Sequence, residues 1–263
     1  LRYPCWNPVL YQPPGRKPLM LFLKVGPNPR EWWGEFMLSY DGGRSFRDRH
    51  RLPVTIDGPV RSKPLLLADG TLLCPSSTEH DHDWRMHFER LIDPDRPERG
   101  ESWQRFEPVR QAFQVIQPTL IRNDKQGIRA LLRSKHGQIM QTVSVDDGQT
   151  WTELEPTKLP NPNSGIEALT LADGRHLLVY NRHAGDRKDG WGSRRNLTLA
   201  ASLDGKQWND LAVLEELKQG ELSYPAMIQS SDGMVHITYT WKRERVRHVV
   251  IDPSQLAFPS SGR

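Results

Sequence analysis

Residues 144–151 read SVDDGQTW and fit the pattern Ser-x-Asp-x-Gly-x-Thr-Trp at every fixed position. Residues 39–46, SYDGGRSF, fit it with Ser for Thr and Phe for Trp, and residues 202–208, SLDGKQW, fit it with one residue missing. In such a motif the Asp can accept hydrogen bonds from the backbone N–H groups that follow it, the Gly permits a backbone that a Cβ penalises, and the aromatic ring packs between sheets. The three copies predict tight turns between outer strands of a repeated β-structure.

A second repeat marks five inner hairpins. Each copy has a polar residue, a Pro or small residue, an apolar strand, a turn and a second apolar strand. The copies begin at Asn7, Lys63, Gln117, Glu167 and Tyr224. By subtraction their starts are 56, 54, 50 and 57 residues apart, near the about 40–50 residues of a propeller blade. Asp-Gly pairs at 69–70, 173–174 and 232–233 lie between apolar runs and are typical of hairpin turns.

These two repeats resemble the Asp-box (BNR) repeats of sialidases and related β-propellers over nearly the whole chain. The resemblance implies an all-β fold, a sialidase-like six-bladed β-propeller that lacks its N-terminal blade, with a five-bladed propeller as the alternative. We expect one domain over residues 1–263, with blade units of about 1–55, 56–110, 111–160, 161–216 and 217–263.

Composition narrows the function classes. The chain has 36 basic and 32 acidic residues and a net charge of +4, with no dense Lys/Arg arm, so we expect no nucleic-acid partner. No apolar run approaches the about 18 residues of a membrane span. In residues 241–247, WKRERVR, a solvated strand face is favoured over a contact with a polyanion. Cys5 and Cys74 are too few for a disulfide framework, which slightly favours the cytoplasm. A signal peptide stays possible, because the chain opens at Leu1 without a Met.

Candidate site residues follow from the repeat. In a propeller, the residues that open each inner strand and those that end its hairpin partner face one mouth of the central channel. The openers are Asn7, Lys63, Gln117, Glu167 and Tyr224, and the partner ends are Lys24, Glu79 followed by His80, Arg133, Arg182 and Trp241. In residues 79–83, EHDHD, His80 and His82 are two positions apart and would share one face of a strand. The sequence has no further ligands at a spacing known for zinc, so we expect no metal site and no cofactor.

The resemblance also implies chemistry. Sialidases use a Tyr nucleophile activated by a Glu, an Asp acid/base and three Arg that hold the substrate carboxylate. A neutral Tyr avoids repulsion from that carboxylate, and the Arg fork matches it. The resemblance gives the Tyr role to Tyr224 and two Arg roles to Arg133 and Arg182, and it places the remaining Arg and the Asp in the first blade. The chain departs from the family pattern at Gln117, where the activating Glu is expected.

Sequence therefore predicts a glycoside hydrolase of the sialidase-like type that cleaves a terminal acidic or deoxy sugar. Tyr224, Glu167 and Glu79 are the catalytic candidates, with Glu221 as a second partner for Tyr224. The substrate-binding candidates are Arg133, Arg182, Lys63, Gln117, His80, Asn7 and Trp241. A glycosidase with two carboxylates, Glu79 and Glu167, stays open. The main alternative is a catalytically silent glycan-binding propeller, and a third is a propeller for protein contacts. The expected partner is a carbohydrate, with neutral and anionic sugars both open, and the oligomeric state is left open.

Overall fold

The computed structural model describes residues 2–15, 17–80, 83–107, 112–123, 127–185 and 190–258. Within them the chain forms five antiparallel sheets whose strands are consecutive in sequence. Sheet 1 consists of β1 (Cys5–Tyr11), β2 (Leu19–Val25), β3 (Trp33–Ser39) and β4 (Arg47–Arg51). Sheet 2 consists of β5 (Leu65–Leu66), β6 (Leu72–His80), β7 (Asp83–Leu91) and β8 (Trp103–Phe106).

The other three sheets have the same meander order. Sheet 3 consists of β9 (Val115–Asn123), β10 (Gly127–Ser134), β11 (Gln138–Ser144) and β12 (Glu155–Pro160). Sheet 4 consists of β13 (Glu167–Thr170), β14 (His176–Tyr180), β15 (Asn196–Ser202) and β16 (Asn209–Glu216). Sheet 5 consists of β17 (Leu222–Gln229), β18 (Val235–Trp241) and β19 (Arg245–Ile251). Two short 3-10 helices, Gly100–Ser102 and Pro253–Gln255, complete the elements.

The fold class is all-β and of the sialidase-like propeller type. Across the described residues there are five blade sheets, four of four strands and one of three. This matches the five-blade alternative of the sequence prediction. The prediction of a single domain stays a prediction. No helix in the described part of the chain has the length and apolar character that crossing a membrane requires.

Burial along each sheet follows the hydrophobic pattern of its strands. The second strands, such as β2 (LMLFLKV) and β14 (HLLVY), are buried along most or all of their length. A strand covered on both faces reads as a continuous apolar run, which these sequences show. The fourth strand β4 (RDRHR) is exposed at every position, and β16 is mostly exposed. The polar outer strands therefore face solvent.

The predicted turns form as their residues dictate. Thr150 donates to the Asp146 carboxylate through its backbone N–H at 2.9 Å and its hydroxyl at 2.6 Å. Ser45 makes the same pair of bonds to Asp41, and these bonds hold the pKa of Asp41 below its ordinary value. In the shortened copy, Trp208 packs against a buried apolar cluster. The Asp boxes are thus structural turns, as the sequence predicts.

The chain divides into two compact units. Unit 1 comprises residues 1–110, 116–118 and 147–149, and unit 2 comprises residues 111–115, 119–146 and 150–263. In unit 1 the core lies between sheets 1 and 2, where Phe22, Phe36 and Trp103 pack together. Unit 2 has one core between sheets 3 and 4 and another between sheets 4 and 5.

Three inner strands carry a strained residue immediately before a proline. Asn7 has φ 45°, Gln117 has φ 54° and Tyr224 has φ 52°. The pairing register shifts around two of these positions, between Trp6 and Val9 and between Ser223 and Ala226. A left-handed backbone costs an L-residue about 1–2 kcal/mol, and such strain clusters at functional positions. All three belong to the openers that the sequence repeat identifies.

Candidate functional site

A basic cavity of about 730 Å³ opens in unit 2. Its volume is in the range of ligand sites, about 300–1,000 Å³. The side chains of one acidic residue, four basic residues and one aromatic residue line it. These are Glu221, Arg194, Arg195, Lys242, Arg243 and Trp191. The cavity therefore suits an anionic ligand that has a face for stacking.

Arg194 is the buried cation of this cavity, with 4% of its surface exposed. It donates from Nη2 to the Asn163 carbonyl at 2.7 Å, and its guanidinium carbon lies 4.3 Å from the centre of the Trp191 ring. Burial lowers the pKa of Arg194, and the charge of Glu221 opposes that effect. Its Nε, also buried, finds no hydrogen-bond partner among the described residues. The guanidinium thus keeps donor capacity for an anion.

Asn163 also binds a second arginine, Arg133. Arg133, on β10, is 5% exposed and donates from Nε to the Asn163 side-chain oxygen at 2.8 Å. Its guanidinium carbon lies 5.8 Å from the centre of the Trp191 ring. Asn163 is buried with φ 53°, a left-handed conformation that Asn tolerates better than most residues. Its side chain and carbonyl therefore orient the two arginines.

Tyr224 lies beside Arg243 and Arg194. It is half-buried on β17, and the Arg243 guanidinium carbon is 5.1 Å from its ring centre. Tyr224 also acts to raise the pKa of Arg194, against the effect of burial. Arg243 bonds to Glu221, and Arg194 Nη1 lies 3.7 Å from the same carboxylate. Burial would raise the pKa of Glu221, but hydrogen bonds from Arg243 and Ser223 hold it below its ordinary value. Glu221 is therefore an ionised partner of the arginines.

Three other candidates in unit 2 lie in different surroundings. Glu167 opens β13 and is 2% exposed. The Arg182 side chain is 62% exposed and pairs with Asp210 of the outer strand β16 at 2.5 Å. Trp241 donates from Nε1 to Glu215, also on β16, at 2.8 Å. None of the three predicted residues contributes to the lining of the basic cavity.

The remaining candidates belong to unit 1. Gln117 is 3% exposed, and its side-chain nitrogen donates to Glu79 Oε1 at 2.9 Å. Its backbone N–H donates to the Ser77 hydroxyl at 3.2 Å. His80 is the exposed last residue of β6, Lys63 is half-buried before β5, and Asn7 is half-buried on β1. Asp81 and His82 of the rejected zinc pattern lie outside the described residues.

Unit 1 also contains a buried charge network that the sequence did not reveal. The Glu89 carboxylate accepts the N–H groups of Asp57 at 2.9 Å and Gly58 at 2.6 Å, and its Oε1 lies 3.1 Å from His87 Nε2. Lys24, fully buried, donates to the Gly58 carbonyl at 3.3 Å. Burial lowers the pKa of Lys24, and the charges of Asp57 and Glu89 oppose that effect.

In the part of the chain that the structure describes, this network contains the one group of side chains spaced like metal ligands. Atoms of Asp57, His87 and Glu89 lie within 4.8 Å of one another. However, both Glu89 oxygens accept backbone N–H groups, and the Lys24 amino group already lies in the network, bonded to the Gly58 carbonyl. Arg105 adds a second cation, 3.5 Å from Asp57 Oδ2. The charges of this network compensate one another, and its hydrogen bonds attach the loop at Asp57 and Gly58 to β7.

The sequence missed the residues that build the basic cavity beside Tyr224. Asn163 lies between β12 and β13, and no local sequence pattern indicates that it binds two arginines. Arg194 follows a long connection after β14, outside the hairpin positions that the repeat identifies. Arg243 falls in the basic run 241–247, which was interpreted as a solvated strand face.

Comparison with known proteins agrees with this fold. The Hadza microbial sialidase Hz136 superposes with a TM-score of 0.74 at 16% identity, over 97% of this chain and 54% of that one. A Dyadobacter fermentans protein of unknown function gives 0.66 at 19% identity, over 89% and 71%. The NanB sialidase from Streptococcus pneumoniae gives 0.64 at 15% identity, over 89% and 37%.

The chain thus spans about half or less of the two sialidases, and at these identities the likeness shows the fold alone. Among curated proteins, none matches the chain. The family profile described as BNR repeat-like domain matches residues 1–237, most of the chain. With its Asp-box turns and sialidase-like sheets, this chain belongs to the BNR repeat-like family.

Proposed function

We propose that this chain recognises a terminal acidic sugar in the basic cavity of unit 2, and that Tyr224 makes it a glycoside hydrolase of the sialidase-like type. The observation that carries the proposal is the juxtaposition of Tyr224 with a buried Arg194 at a cavity lined by further cations. The family is glycan-related, which supports a carbohydrate ligand. The cavity adds the expectation that the sugar is anionic.

Recognition would rest on the two arginines that Asn163 orients. A guanidinium presents paired donors that match a carboxylate, and such charge-assisted bonds are stronger than neutral ones. Both guanidiniums lie against the ring of Trp191. This residue is 38% exposed and lines the cavity. An aromatic face beside donors for an acid group is suited to a sugar ring that carries a carboxylate.

The chemistry would use Tyr224 as the nucleophile. Its phenolic oxygen forms a bond to the anomeric carbon as the glycosidic C–O bond breaks. The phenolic proton passes to solvent, and the departing aglycone oxygen takes up a proton from solvent. Water then cleaves the glycosyl–Tyr bond, which releases the sugar and restores the phenol. Arg194 and Arg243 flank Tyr224, and their positive charge stabilises the negative charge that its oxygen carries during the attack.

A second candidate function is a glycan-binding propeller without turnover. It is favoured by Gln117, which stands where the resemblance expects the activating Glu and bonds to Glu79 through its amide. An amide cannot accept the phenolic proton of a nucleophile. In unit 2, the pKa of Glu221 is lowered by its bonds to Arg243 and Ser223, which makes that carboxylate a weak base.

Fluorogenic aryl glycosides of sialic acid, a uronic acid and rhamnose test the proposal, because an aryl leaving group departs without a general acid. We expect turnover of an acidic glycoside by the wild type and a loss of about 100-fold or more in Tyr224→Phe, with unfolding unchanged. Tyr40→Phe, at an exposed tyrosine, is the matched control. Full turnover by Tyr224→Phe would exclude the nucleophile role. Binding without turnover by the wild type would select the second candidate.

A further inference from the structure

The hairpin turn between β18 and β19 has a backbone conformation that its two central residues rarely adopt. Glu244 N–H donates to the Trp241 carbonyl at 3.0 Å, and the two central residues, Lys242 and Arg243, have φ values of 53° and 61°. Positive φ at both central positions is the signature of a type I′ turn, for which Asn-Gly is preferred. Each left-handed L-residue costs about 1–2 kcal/mol. The chain therefore keeps two cations at a position where turn chemistry favours other residues.

Both strained residues line the basic cavity, together with Arg194 and Arg195. Among the described residues, the lining has four cations against one carboxylate, a formal excess of three positive charges. A ligand with a single negative charge would leave two of them uncompensated. Strain that persists at a cavity points to function, since the surroundings must hold it in place.

The surroundings of the turn support its conformation. Lys242 N–H donates to the Glu221 carbonyl at 2.8 Å. A Cβ on Gly220 would lie 2.9 Å from Lys242 Cγ, so the glycine leaves room for the lysine stem. Glu221 holds Arg243 over the Tyr224 ring. Arg195 is exposed and is oriented by its Nε bond to the Ser193 hydroxyl at 3.1 Å.

We propose that Arg195 and the Lys242–Arg243 turn form a second anion subsite, so that the ligand of this cavity is an acidic oligosaccharide with negative groups on two successive units. The first group binds at Arg133 and Arg194, and the second, a carboxylate or a sulfate, binds at Arg195 and Lys242. This inference rests on the proposed function of the cavity. It goes further in naming a polyanionic glycan as the substrate class and the turn as its specificity element.

Calorimetric titrations separate the two subsites. The probes are galacturonic acid against digalacturonic acid, and an unsulfated against a sulfated chondroitin disaccharide. The variant is Lys242→Asn with Arg195→Gln, in which Asn suits the left-handed position and Arg243 is retained. The control is Arg44→Gln with Arg47→Gln, which removes the same charge from exposed residues that do not line the cavity.

We expect the wild type to bind one of the doubly charged probes about tenfold more tightly than its singly charged counterpart, and the variant to lose most of that difference. The control should keep it. A gain from the second anion in one pair alone identifies its chemistry as carboxylate or sulfate. Equal affinities within both pairs, or a gain that the variant retains, would overturn the second subsite while leaving the proposed function intact. If no acidic sugar binds, the proposed function itself is wrong, and the subsite with it.

Discussion

The two units each contain a cluster of charged side chains, and the clusters differ in where their charges are compensated. In unit 1, Lys24, His87 and Glu89 have no exposed surface, and their bonds run to one another and to the backbone of one loop. In unit 2, Arg194 is buried, but the cavity that it lines opens to solvent beside the exposed Arg243.

This difference separates a structural role from a binding role. A buried charge whose partners are all internal stabilises the fold, and removing one member leaves the others uncompensated. A cavity with an excess of positive charge has its missing partners outside the protein. We therefore expect mutations in the first cluster to affect unfolding and mutations in the second to affect ligand affinity.

The largest expected effect on stability comes from Glu89→Gln. The change removes the charge opposite Lys24 and places an amide N–H₂ against backbone N–H groups that need an acceptor. We expect a loss of about 3 kcal/mol or more in the free energy of unfolding, measured with urea. The exposed Glu216→Gln should change it by about 0.5 kcal/mol or less. A loss below about 1 kcal/mol for Glu89→Gln would contradict a structural role for the network.

Arg194→Gln should greatly weaken ligand binding and change the stability little, the opposite of what we expect for Glu89→Gln. It removes a charge-assisted contact to the acid group, which is worth about 1.5–3 kcal/mol and so up to about 100-fold in affinity. The free energy of unfolding should change by only about 1 kcal/mol, because Glu221 keeps its ion pair with Arg243. Calorimetry with an acidic sugar measures the first effect and urea unfolding the second. Arg182→Gln tests the sequence prediction in the same assay, and an equal loss there would mean that the acid group binds near Arg182.

Unfolding at alkaline pH tests the contribution of a buried tyrosine of unit 2 to stability. Burial, with a hydrogen bond to Glu215, raises the pKa of Tyr239 to about 12. The folded state therefore holds a proton that the unfolded chain loses near pH 10, so this stabilisation is complete below pH 10 and is lost as the pH rises through 12. Tyr239→Phe should flatten the fall in stability from pH 10 to 12, measured by urea unfolding at each pH. A slope equal to that of the wild type would show that Tyr239 does not titrate in this window.

The smallest effect is a gain in stability. Lys242→Asn places a residue that tolerates the left-handed region at φ 53°, and we expect about 0.5–1 kcal/mol of added stability from thermal unfolding. Serine at the same position provides a comparison that removes the charge without the conformational preference. A loss of stability with Asn would mean that the lysine contacts with Gly220 and Trp241 outweigh the strain.

Local signals in the sequence account for the fold. The Asp boxes, the Asp-Gly turns and the spacing of the inner strands each depend on residues close in sequence, so the five sheets could be predicted. The repeat also identified Tyr224, Gln117 and Asn7, which share a left-handed backbone before a proline. The five blade sheets of the described residues match the five inner hairpins that the repeat marks, whereas the sixth blade of the main prediction came from the resemblance alone.

The cavity could not be predicted in the same way. Arg194 reaches it from a loop, and Asn163 binds Arg133 and Arg194 across separations of 30 and 31 residues. Such convergence depends on tertiary packing and leaves no periodic trace. The repeat instead favoured Arg182, which occupies the expected hairpin end but pairs with Asp210. The network around Glu89 was missed for the same reason, because Asp57, Gly58 and Glu89 meet through packing.

The most direct test of the central claim is a crystal structure of Tyr224→Phe with a bound acidic sugar, such as sialic acid or galacturonic acid. The account predicts the sugar in the basic cavity of unit 2, with its carboxylate within about 3 Å of the Arg133 and Arg194 guanidiniums and its ring against Trp191. A sugar bound elsewhere, or bound in the cavity with its carboxylate directed away from both arginines, would contradict it.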